Sequence, residues 1–500
     1  MSPSELRLIR GTALTILAMV LLRLVAAAYT PLSFDEAYYW TWSKHLAGGY
    51  YDHPPMVAVV IRLGTLIAGD TELGVRLVSI LLALPLSWAV YRTAEILFGG
   101  RRVAAAAAIL LNATMLTAVG TMIVTPDAPL LVASSFVLLY LAKVLATGRG
   151  FWWLAVGAAV GVALLSKYTA LFFGPAILIW LVTVPKLRRW LISPWPYLGG
   201  VVALAIFSPV IVWNAQHQWV SFIKQMGRAR FDEFAPVFLL ELVPTQVGFA
   251  TPLVFILGTM GLYVLLRGYT GASAARTLIN SMFWTIWLYF AWHALHNRVE
   301  ANWFAPIYPA FAIAGAVAAN LTRWDSRTQR IVNFCQRWAA PSGIVIFALL
   351  VVQANTGLLS GHRRDSTVRS IGVGWHKLGE EIEAVRVRIG ATCVLGPNYG
   401  TTAWLSFYMP KSTCVAQRTQ RYRWAGTPQP DEAILGGKLL FVDEKRLRGK
   451  RDLPDSFTVE KVAEFQRKRG PLLIETIEVD VIESTDGDVF DHSPPPELEK

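Results

Sequence analysis

Two acidic motifs lie close together near the start of the sequence, and aromatic side chains accompany both. They supply seven candidate residues, namely Asp35, Glu36, Tyr38, Tyr39, Tyr51, Asp52 and His53. A carboxylate can take the proton from a reacting hydroxyl group, and an imidazole can bind or exchange protons near neutral pH. These residue types and their spacing therefore indicate a site for acid–base chemistry.

A simpler interpretation of the first motif stays open on these residues alone. Residues 34–47 place Tyr39, Trp42 and Leu46 at helical spacing, as expected of a helix that lies in a membrane interface. Asp35 and Glu36 would then be ordinary N-terminal residues of that helix, where the helix dipole favours negative charge.

Later hydrophilic segments add further polar candidates for substrate binding. These are Asp127, Lys167, Tyr168, His217, His296, Arg298, Glu300 and Asn302. Singly, such residues are typical of loop hydrogen bonds, and Lys167 or Arg298 could equally be a side chain that reaches from lipid to the interface. As a group they contrast with other loops, which contain arginine, lysine and ordinary polar residues.

The composition predicts the kind of element that must position these residues. The 500 residues are 54% hydrophobic and 16% charged with a mean hydropathy of +0.43, whereas an average soluble domain is about 25% charged. This composition excludes disordered, collagen-like and disulfide-dense proteins. It favours a membrane protein, in which aromatic residues gather at the interfaces.

The net charge of +12 does not indicate a nucleic-acid partner. Residues 358–500 contain 21 basic and 21 acidic residues, so the whole excess lies in residues 1–357. In membrane proteins, positively charged residues in the short loops between apolar segments set the orientation in the membrane. The excess charge is typical of such a protein.

Eleven apolar runs of near-spanning length predict a multi-pass membrane protein inserted in the bilayer. They are residues 11–29, 75–98, 103–120, 128–146, 151–166, 169–184, 197–213, 247–266, 278–294, 303–320 and 341–357. The first run could instead be a signal peptide, but the ten runs that follow favour an uncleaved anchor.

Loop charges predict the orientation. With a cytoplasmic N-terminus, the inner loops hold fifteen Lys and Arg residues and the outer segments eight. This bias predicts a cytoplasmic N-terminus and a C-terminal segment outside the cytoplasm. The candidate site residues then all fall on the outer face, where ionisable groups at membrane depth are usually functional.

A second domain is predicted after the last apolar run, so that residues 1–357 form a transmembrane domain and residues 358–500 a small soluble α/β domain. The tail has short β-like runs at 391–395, 438–442 and 472–482 between helix-like runs at 376–389 and 399–408. Cys393 and Cys414 lie in it, and either a disulfide or two buried thiols would fit.

The sequence resembles a known family at these motifs. Asp35-Glu36, the Tyr51-Asp52-His53-Pro-Pro segment and Glu300-Ala-Asn302-Trp are similar to the glycosyltransferase family 39-like integral membrane enzymes of bacteria. That group is related to dolichyl-phosphate-mannose protein mannosyltransferases and includes lipid A aminoarabinose transferases and rhizobial galacturonosyltransferases. In the tail, Gly396-Pro-Asn-Tyr399 also resembles the family.

The resemblance implies a C-type glycosyltransferase fold with about eleven transmembrane helices and outer amphipathic helices. It implies transfer of a sugar from a polyprenyl-phosphate donor to a lipid, lipopolysaccharide or protein acceptor, with inversion at the anomeric carbon. Asp35 matches the catalytic carboxylate as general base, and Glu36 would support it or bind the acceptor. The other candidates would bind the donor phosphate or substrate.

The sequence departs from the aminoarabinose branch at two positions of this site. Tyr38 replaces an arginine, and Asp52-His53 replaces a Glu-Lys pair, so His53 would contact phosphate only when protonated or by hydrogen bonding. A divalent metal could use the mixed carboxylates and histidines, but no tight ligand spacing is present. We therefore predict no cofactor.

Three other classes compete with this prediction. A secondary transporter would place ionisable residues within its spans, often in inverted repeats, and neither feature is evident. A lipid-glycan ligase would carry one dominant outer loop late in the chain, whereas this chain has its acidic pair in the first loop. A scaffold with a sensory tail would need no ionised aspartate.

Overall fold

The fold is described from a computed structural model that covers residues 2–228, 233–358, 366–428, 430–445, 453, 456–470, 472–484, 489–496 and 498. Its first part is helical throughout. The helices are α1 (Pro3–Tyr29), α2 (Phe34–Lys44), α3 (Met56–Ala68), α4 (Glu72–Leu81), α5 (Ala83–Phe98), α6 (Arg101–Asn112), α7 (Met115–Met122), α8 (Asp127–Thr147), α9 (Trp152–Ser166), α10 (Phe173–Thr183), α11 (Pro194–Gln216), α12 (Val220–Arg228), α13 (Val237–Ala250), α14 (Pro252–Arg267), α15 (Ser273–His293), α16 (Tyr308–Asn320) and α17 (Ser326–Thr356). Three 3-10 helices cover Tyr168–Phe172, Pro185–Ile192 and Ala301–Ile307.

Every predicted apolar run coincides with one of these helices or with two consecutive ones. Among the described residues, six helical segments are long and apolar enough to cross a membrane, or eight if each of two bent pairs is one span. Shorter apolar helices account for residues 151–166 and 169–184. The chain is thus a multi-pass membrane protein, and the number eleven stays a prediction.

The C-terminal segment is the predicted α/β unit. It contains α18 (Ser366–Ser370), α19 (Trp375–Ile389), α20 (Tyr399–Tyr408) and α21 (Glu432–Leu435), with strands β1 (Cys393–Gly396), β2 (Cys414–Gln417), β3 (Leu439–Glu444), β4 (Phe457–Arg469) and β5 (Leu472–Ser484). The sheet order is β2-β1-β3-β5-β4, with parallel pairing on the β2-β1-β3 side and antiparallel pairing on the other.

The cysteine question has a clear answer in the sheet. Cys393 and Cys414 face each other in the β1–β2 register and form a disulfide, while Cys335 is a buried free thiol on α17. The division into two domains at residue 357 stays a prediction. α17 ends at Thr356, and residues 359–365 lie outside the described residues.

The C-terminal unit packs directly on the segment that leads into α2. The Leu32 carbonyl accepts hydrogen bonds from the Gly372 amide (2.8 Å) and the Trp404 indole (3.1 Å), and the Leu32 amide donates to the Tyr408 hydroxyl (2.8 Å). A continuous hydrophobic core therefore runs from α2 into the tail.

A helix is present where the interfacial helix was predicted, but its surroundings differ from the prediction. α2 begins where Ser33 and Glu36 form a reciprocal capping box. Tyr39 and Trp42, expected to face lipid, are buried instead. The reason is that the first loop packs on this side of the helix, with Trp42 stacked on Tyr50 at 4.2 Å and Tyr39 6.2 Å from the His53 ring. A sequence pattern cannot distinguish burial against protein from burial in lipid.

Candidate active site

Glu36 and Arg76 form a buried ion pair that fixes the start of α2. Arg76 donates to both oxygens of Glu36 at 2.7 Å, and both side chains are fully buried. The remaining capacity of Glu36 is taken by the backbone amides of Ser33 (2.9 Å) and Val124 (3.0 Å). The expectation that Glu36 binds the acceptor does not fit this geometry, because neither oxygen is left for a ligand.

Asp35, one residue earlier on the helix, makes a different set of contacts. Its Oδ1 accepts a hydrogen bond from the Tyr399 hydroxyl at 3.2 Å. Burial raises the pKa of Asp35 to about 6, the Tyr399 hydrogen bond opposes this, and the negative charge of Asp52 adds to the rise. Asp35 is therefore ionised at neutral pH but close enough to titration to exchange a proton.

Asp52 is a fixed anion in the same region. Arg423 donates to both of its oxygens, at 2.9 and 2.7 Å, and Lys224 pairs with one of them. Burial would raise the pKa of Asp52, but Lys224 and Arg423 outweigh it and hold the pKa at about 2. The Tyr38 hydroxyl lies 3.1 Å from the other oxygen.

Aromatic rings surround the two cations that hold Asp52. The Lys224 ammonium lies 3.8 Å from the Tyr51 ring centre, and the Arg423 guanidinium lies 5.1 Å from Tyr51 and 4.9 Å from Tyr399. Tyr38 packs 5.0 Å from Tyr399. The tail thus supplies an arginine beside the position where the family resemblance led us to expect one.

The residues around Asp35 and Asp52, namely Tyr38, Tyr51, His53, Lys224, Tyr399 and Arg423, form one cluster. A cavity of about 440 Å³ borders this cluster at His53. Lys167 and Arg228 contribute positive charge to its wall. The rest of the wall is largely apolar and includes Leu171, Phe172, Met226, Tyr289, Phe290 and Trp303. A cavity that combines a cationic end with an apolar wall suits an amphiphile with an anionic headgroup.

His53 lies partly buried in this wall in its neutral form. Burial lowers its pKa to about 3, and Lys167 contributes to the drop. A protonated His53 that binds phosphate in place of lysine is therefore disfavoured. The alternative that remains is a hydrogen bond between neutral His53 and phosphate. Its Nδ1 is buried without a hydrogen-bond partner among the described residues.

Asp127, Lys167 and Asn302 come together although they are far apart in the chain. The Lys167 ammonium lies 2.8 Å from one Asp127 oxygen, and the Asn302 amide donates to the other at 2.6 Å. Asp127 and Lys167 are buried, so this network sets the position of the lysine at the cavity. Tyr168 follows in the same wall, with its hydroxyl 2.8 Å from that of Ser221.

Four predicted residues make contacts away from this cluster. His217 stacks on Trp213 at 4.1 Å, and His296 lies beside Trp292. Arg298 is largely exposed and pairs with Glu241 at 3.0 Å, while Glu300 is an exposed residue before a 3-10 helix. This position does not support the prediction that Arg298 binds phosphate.

Sequence reasoning missed three residues of the cluster. Lys224 was counted only as one of several cations outside the spans, and Tyr399 only as part of a familiar motif. Arg423 carried no signal at all, because 371 residues separate it from Asp52. Within the described part of the chain, no group of three or more His, Cys, Asp or Glu side chains could hold a metal ion.

Comparisons with known proteins agree with the family resemblance. A family model described as dolichyl-phosphate-mannose-protein mannosyltransferase matches residues 52–213. The lipid A galacturonosyltransferase RgtD of Rhizobium johnstonii is 28% identical over 320 residues, which are 62% of this chain and 65% of that protein. The chain therefore matches somewhat less than two thirds of the length of this relative.

Solved structures confirm the predicted fold class. ArnT from Cupriavidus metallidurans bound to undecaprenyl phosphate matches with a TM-score of 0.63 and 18% identity, covering 94% of this chain and 97% of that one. The apo form of the same ArnT matches with a TM-score of 0.63 and 16% identity, covering 97% and 99%. The resemblance predicted from the motifs is thus confirmed, and the chain has the C-type glycosyltransferase fold of ArnT.

Proposed function

We propose that this protein transfers a sugar from a polyprenyl-phosphate donor to a hydroxyl group of a lipid, lipopolysaccharide or protein acceptor, with Asp35 as general base. The observation that carries the proposal is the position of Asp35. It is an aspartate with a pKa of about 6, next to a cluster that borders a cationic and apolar cavity. The named relative RgtD acts on lipid A, which supports a glycolipid acceptor.

The cavity at His53 fits the donor. The apolar wall takes the start of the polyprenyl chain, while Lys167 and Arg228 lie where they can neutralise the phosphate. A neutral His53 in the cavity wall can form a hydrogen bond to a phosphate oxygen through a ring nitrogen. That ArnT was solved with undecaprenyl phosphate supports a ligand of this class.

The reaction is a single displacement. The acceptor oxygen bonds to the anomeric carbon from the side opposite the phosphate, the carbon–oxygen bond to the phosphate breaks, and polyprenyl phosphate leaves with the electron pair. Asp35 takes the proton that the acceptor hydroxyl loses, and the cations at the cavity stabilise the charge on the leaving phosphate. Asp52, with its pKa at about 2, holds Lys224 and Arg423 in place and takes no proton.

The first experiment is transfer in whole cells. Mass spectrometry of envelope glycolipids and glycoproteins compares cells that lack the protein with cells that express the wild type, Asp35→Asn or Asp70→Asn. Asp70 is a matched control because it is an aspartate of the same N-terminal region that pairs with Lys44 outside the cluster. General-base loss costs about 10²- to 10⁴-fold. We expect the modification to disappear with Asp35→Asn alone; its persistence at wild-type level would refute the proposal.

We also propose a bacterial inner-membrane location with a cytoplasmic N-terminus and a periplasmic C-terminal unit. The Cys393–Cys414 disulfide supports this, because disulfides persist in the oxidising periplasm and are rare in the cytosol. Alkylation with a membrane-impermeant maleimide tests it. We expect the partly exposed Cys414 to react in spheroplasts only after reduction, while Cys393 is fully buried; reaction only in inverted vesicles would place the unit on the cytoplasmic side.

A further inference from the structure

The C-terminal unit contacts both carboxylates of the site. Tyr399 donates to Asp35 at 3.2 Å, and Arg423 donates to both oxygens of Asp52. These contacts link residues separated by 364 and 371 positions in the chain. The tail is therefore one wall of the reaction centre.

The position of Tyr399 depends on the segment that carries Asp35. Tyr399 is the first residue of α20, which Asn398 caps by accepting a hydrogen bond from the Thr401 amide at 2.9 Å. The Phe34 ring packs edge-on against both Tyr399 (5.9 Å) and Trp404 (5.8 Å). Because Phe34 precedes Asp35 directly, this packing holds the Tyr399 hydroxyl beside the carboxylate.

The hydrogen bond has two chemical consequences for Asp35. It fixes the rotation of the carboxylate and leaves Oδ2 with no hydrogen-bond partner among the described residues, so that this oxygen can accept the proton of a substrate hydroxyl. It also stabilises the ionised form, because a phenol donates to a carboxylate more strongly than to a carboxylic acid.

We propose that Tyr399 is a positioning residue that aims and ionises Asp35, and that the C-terminal unit is thereby a part of the reaction centre. This inference rests on the proposed function. Five titratable groups act on Asp35 from the elements around it. They are Glu36 and Tyr39 on its own helix, Asp52 in the following loop, and Tyr399 and Arg423 from the tail.

The test measures the titration of Asp35 apart from activity. Dicyclohexylcarbodiimide modifies protonated carboxyl groups in apolar surroundings, and peptide mass spectrometry reports the fraction of Asp35 labelled at each pH. In the detergent-purified full chain, we expect the pH of half-labelling to rise by about one unit in Tyr399→Phe, as the loss of a hydrogen bond to a charged group implies. Transfer is measured in parallel, and its acidic limb should shift in the same direction.

Tyr408→Phe is the matched control. Tyr408 also lies on α20 and its hydroxyl also bonds to the segment before α2, but at Leu32 and not at a carboxylate. We expect its half-labelling pH to equal that of the wild type. Thermal unfolding verifies that each variant is folded. Arg423→Gln is a second variant, because loss of this positive charge also raises the pKa of Asp35 and should raise the half-labelling pH by a smaller amount.

The outcomes separate the inference from the proposed function. A wild-type half-labelling pH in folded Tyr399→Phe overturns the inference even if Asp35→Asn abolishes transfer. An equal shift in Tyr408→Phe also overturns it, since docking alone would then explain the effect. A shift in half-labelling pH confined to Tyr399→Phe and Arg423→Gln supports the inference. If the wild type shows this titration but no transfer, the proposed function is refuted and the inference about Asp35 titration is not.

Discussion

The negative charge of Asp52 raises the pKa of Asp35, because the two partly buried carboxylates belong to one site. Their surroundings separate their roles. Asp52 is neutralised by Lys224 and Arg423, whereas the described residues give the Asp35 carboxylate one hydrogen bond, from the Tyr399 phenol. The site therefore combines one carboxylate that stays ionised with one that can gain and lose a proton near neutral pH.

The pH dependence of transfer should follow Asp35. The base must be ionised, so we expect the rate to be full above pH 7 and to fall by half near pH 6, the pKa of Asp35. Asp52, with its pKa at about 2, does not titrate in this range. Transfer assays from pH 5 to 8, with thermal unfolding at each pH, separate this effect from denaturation.

The same assay on Asp52→Asn tests the coupling between the carboxylates. Loss of the negative charge removes one cause of the raised pKa and leaves the positive charges of Lys224 and Arg423 uncompensated. The midpoint of the acidic limb should therefore move below that of the wild type. An upward shift would show that the interaction has the opposite sign.

Recognition of the donor phosphate should depend on Arg228 but not on Arg298. Arg228 borders the cavity, while Arg298 is an exposed partner of Glu241. We expect Arg228→Gln to raise the KM for a polyprenyl-phosphate sugar by roughly tenfold, since a charge-assisted hydrogen bond contributes about 1.5 kcal/mol or more. Arg298→Gln, which removes the same charge, should leave KM and kcat unchanged. Equal effects of the two variants would mean that only the net surface charge matters.

Much of the fold follows from local sequence, because a membrane-spanning helix needs only a long apolar run. The same applies to α2, whose cap Ser33 and Glu36 are three residues apart. The roles of neighbouring residues were harder to predict. Spacing alone does not distinguish the adjacent acidic residues Asp35 and Glu36, but about 100° of helical rotation directs one toward Tyr399 and the other toward Arg76.

Long-range contacts account for what the sequence could not reveal. Arg423 reaches Asp52 only because the tail docks on Leu32, and nothing near Arg423 in the chain indicates that docking. Arg76, at the start of a predicted span, likewise gave no sign of its pairing with Glu36. Hydrophobic periodicity and loop charge report only on residues that are close together in the sequence. They therefore cannot predict a site assembled from three segments that are far apart in the chain.

The Glu36–Arg76 pair should be essential for stability and not for acceptor binding. Removal of one partner of a buried ion pair leaves an uncompensated charge and costs about 3–5 kcal/mol. We expect Glu36→Gln to lower the melting temperature in detergent markedly. Glu381→Gln is the control, because Glu381 pairs with Lys377 on an exposed helix surface and should cost less than about 1 kcal/mol. A Glu36→Gln protein that melts like the wild type but has a raised acceptor KM would return Glu36 to the acceptor site.

Two adjacent glycines on α11 should respond oppositely to substitution by alanine. A methyl group on Gly199 would lie 2.4 Å from the carbonyl oxygen of Trp153 on α9, whereas one on Gly200 would meet nothing within 4 Å. Gly199→Ala must push α9 and α11 apart, at a cost of about 1–3 kcal/mol. Gly200→Ala should be neutral or stabilising, because alanine is the better helix former.

Thermal unfolding of both glycine variants in detergent checks this contrast, and transfer assays extend it to the site. α11 leads into α12, which carries Lys224, and the same α11 contacts the first loop, where a methyl group on Gly48 would lie 2.5 Å from the Pro209 carbonyl oxygen. A displaced α11 should therefore disturb the pairing of Lys224 with Asp52, so Gly199→Ala should also lose transfer activity. Equal melting temperatures for the two variants would show that α9 and α11 are not in close contact at this position.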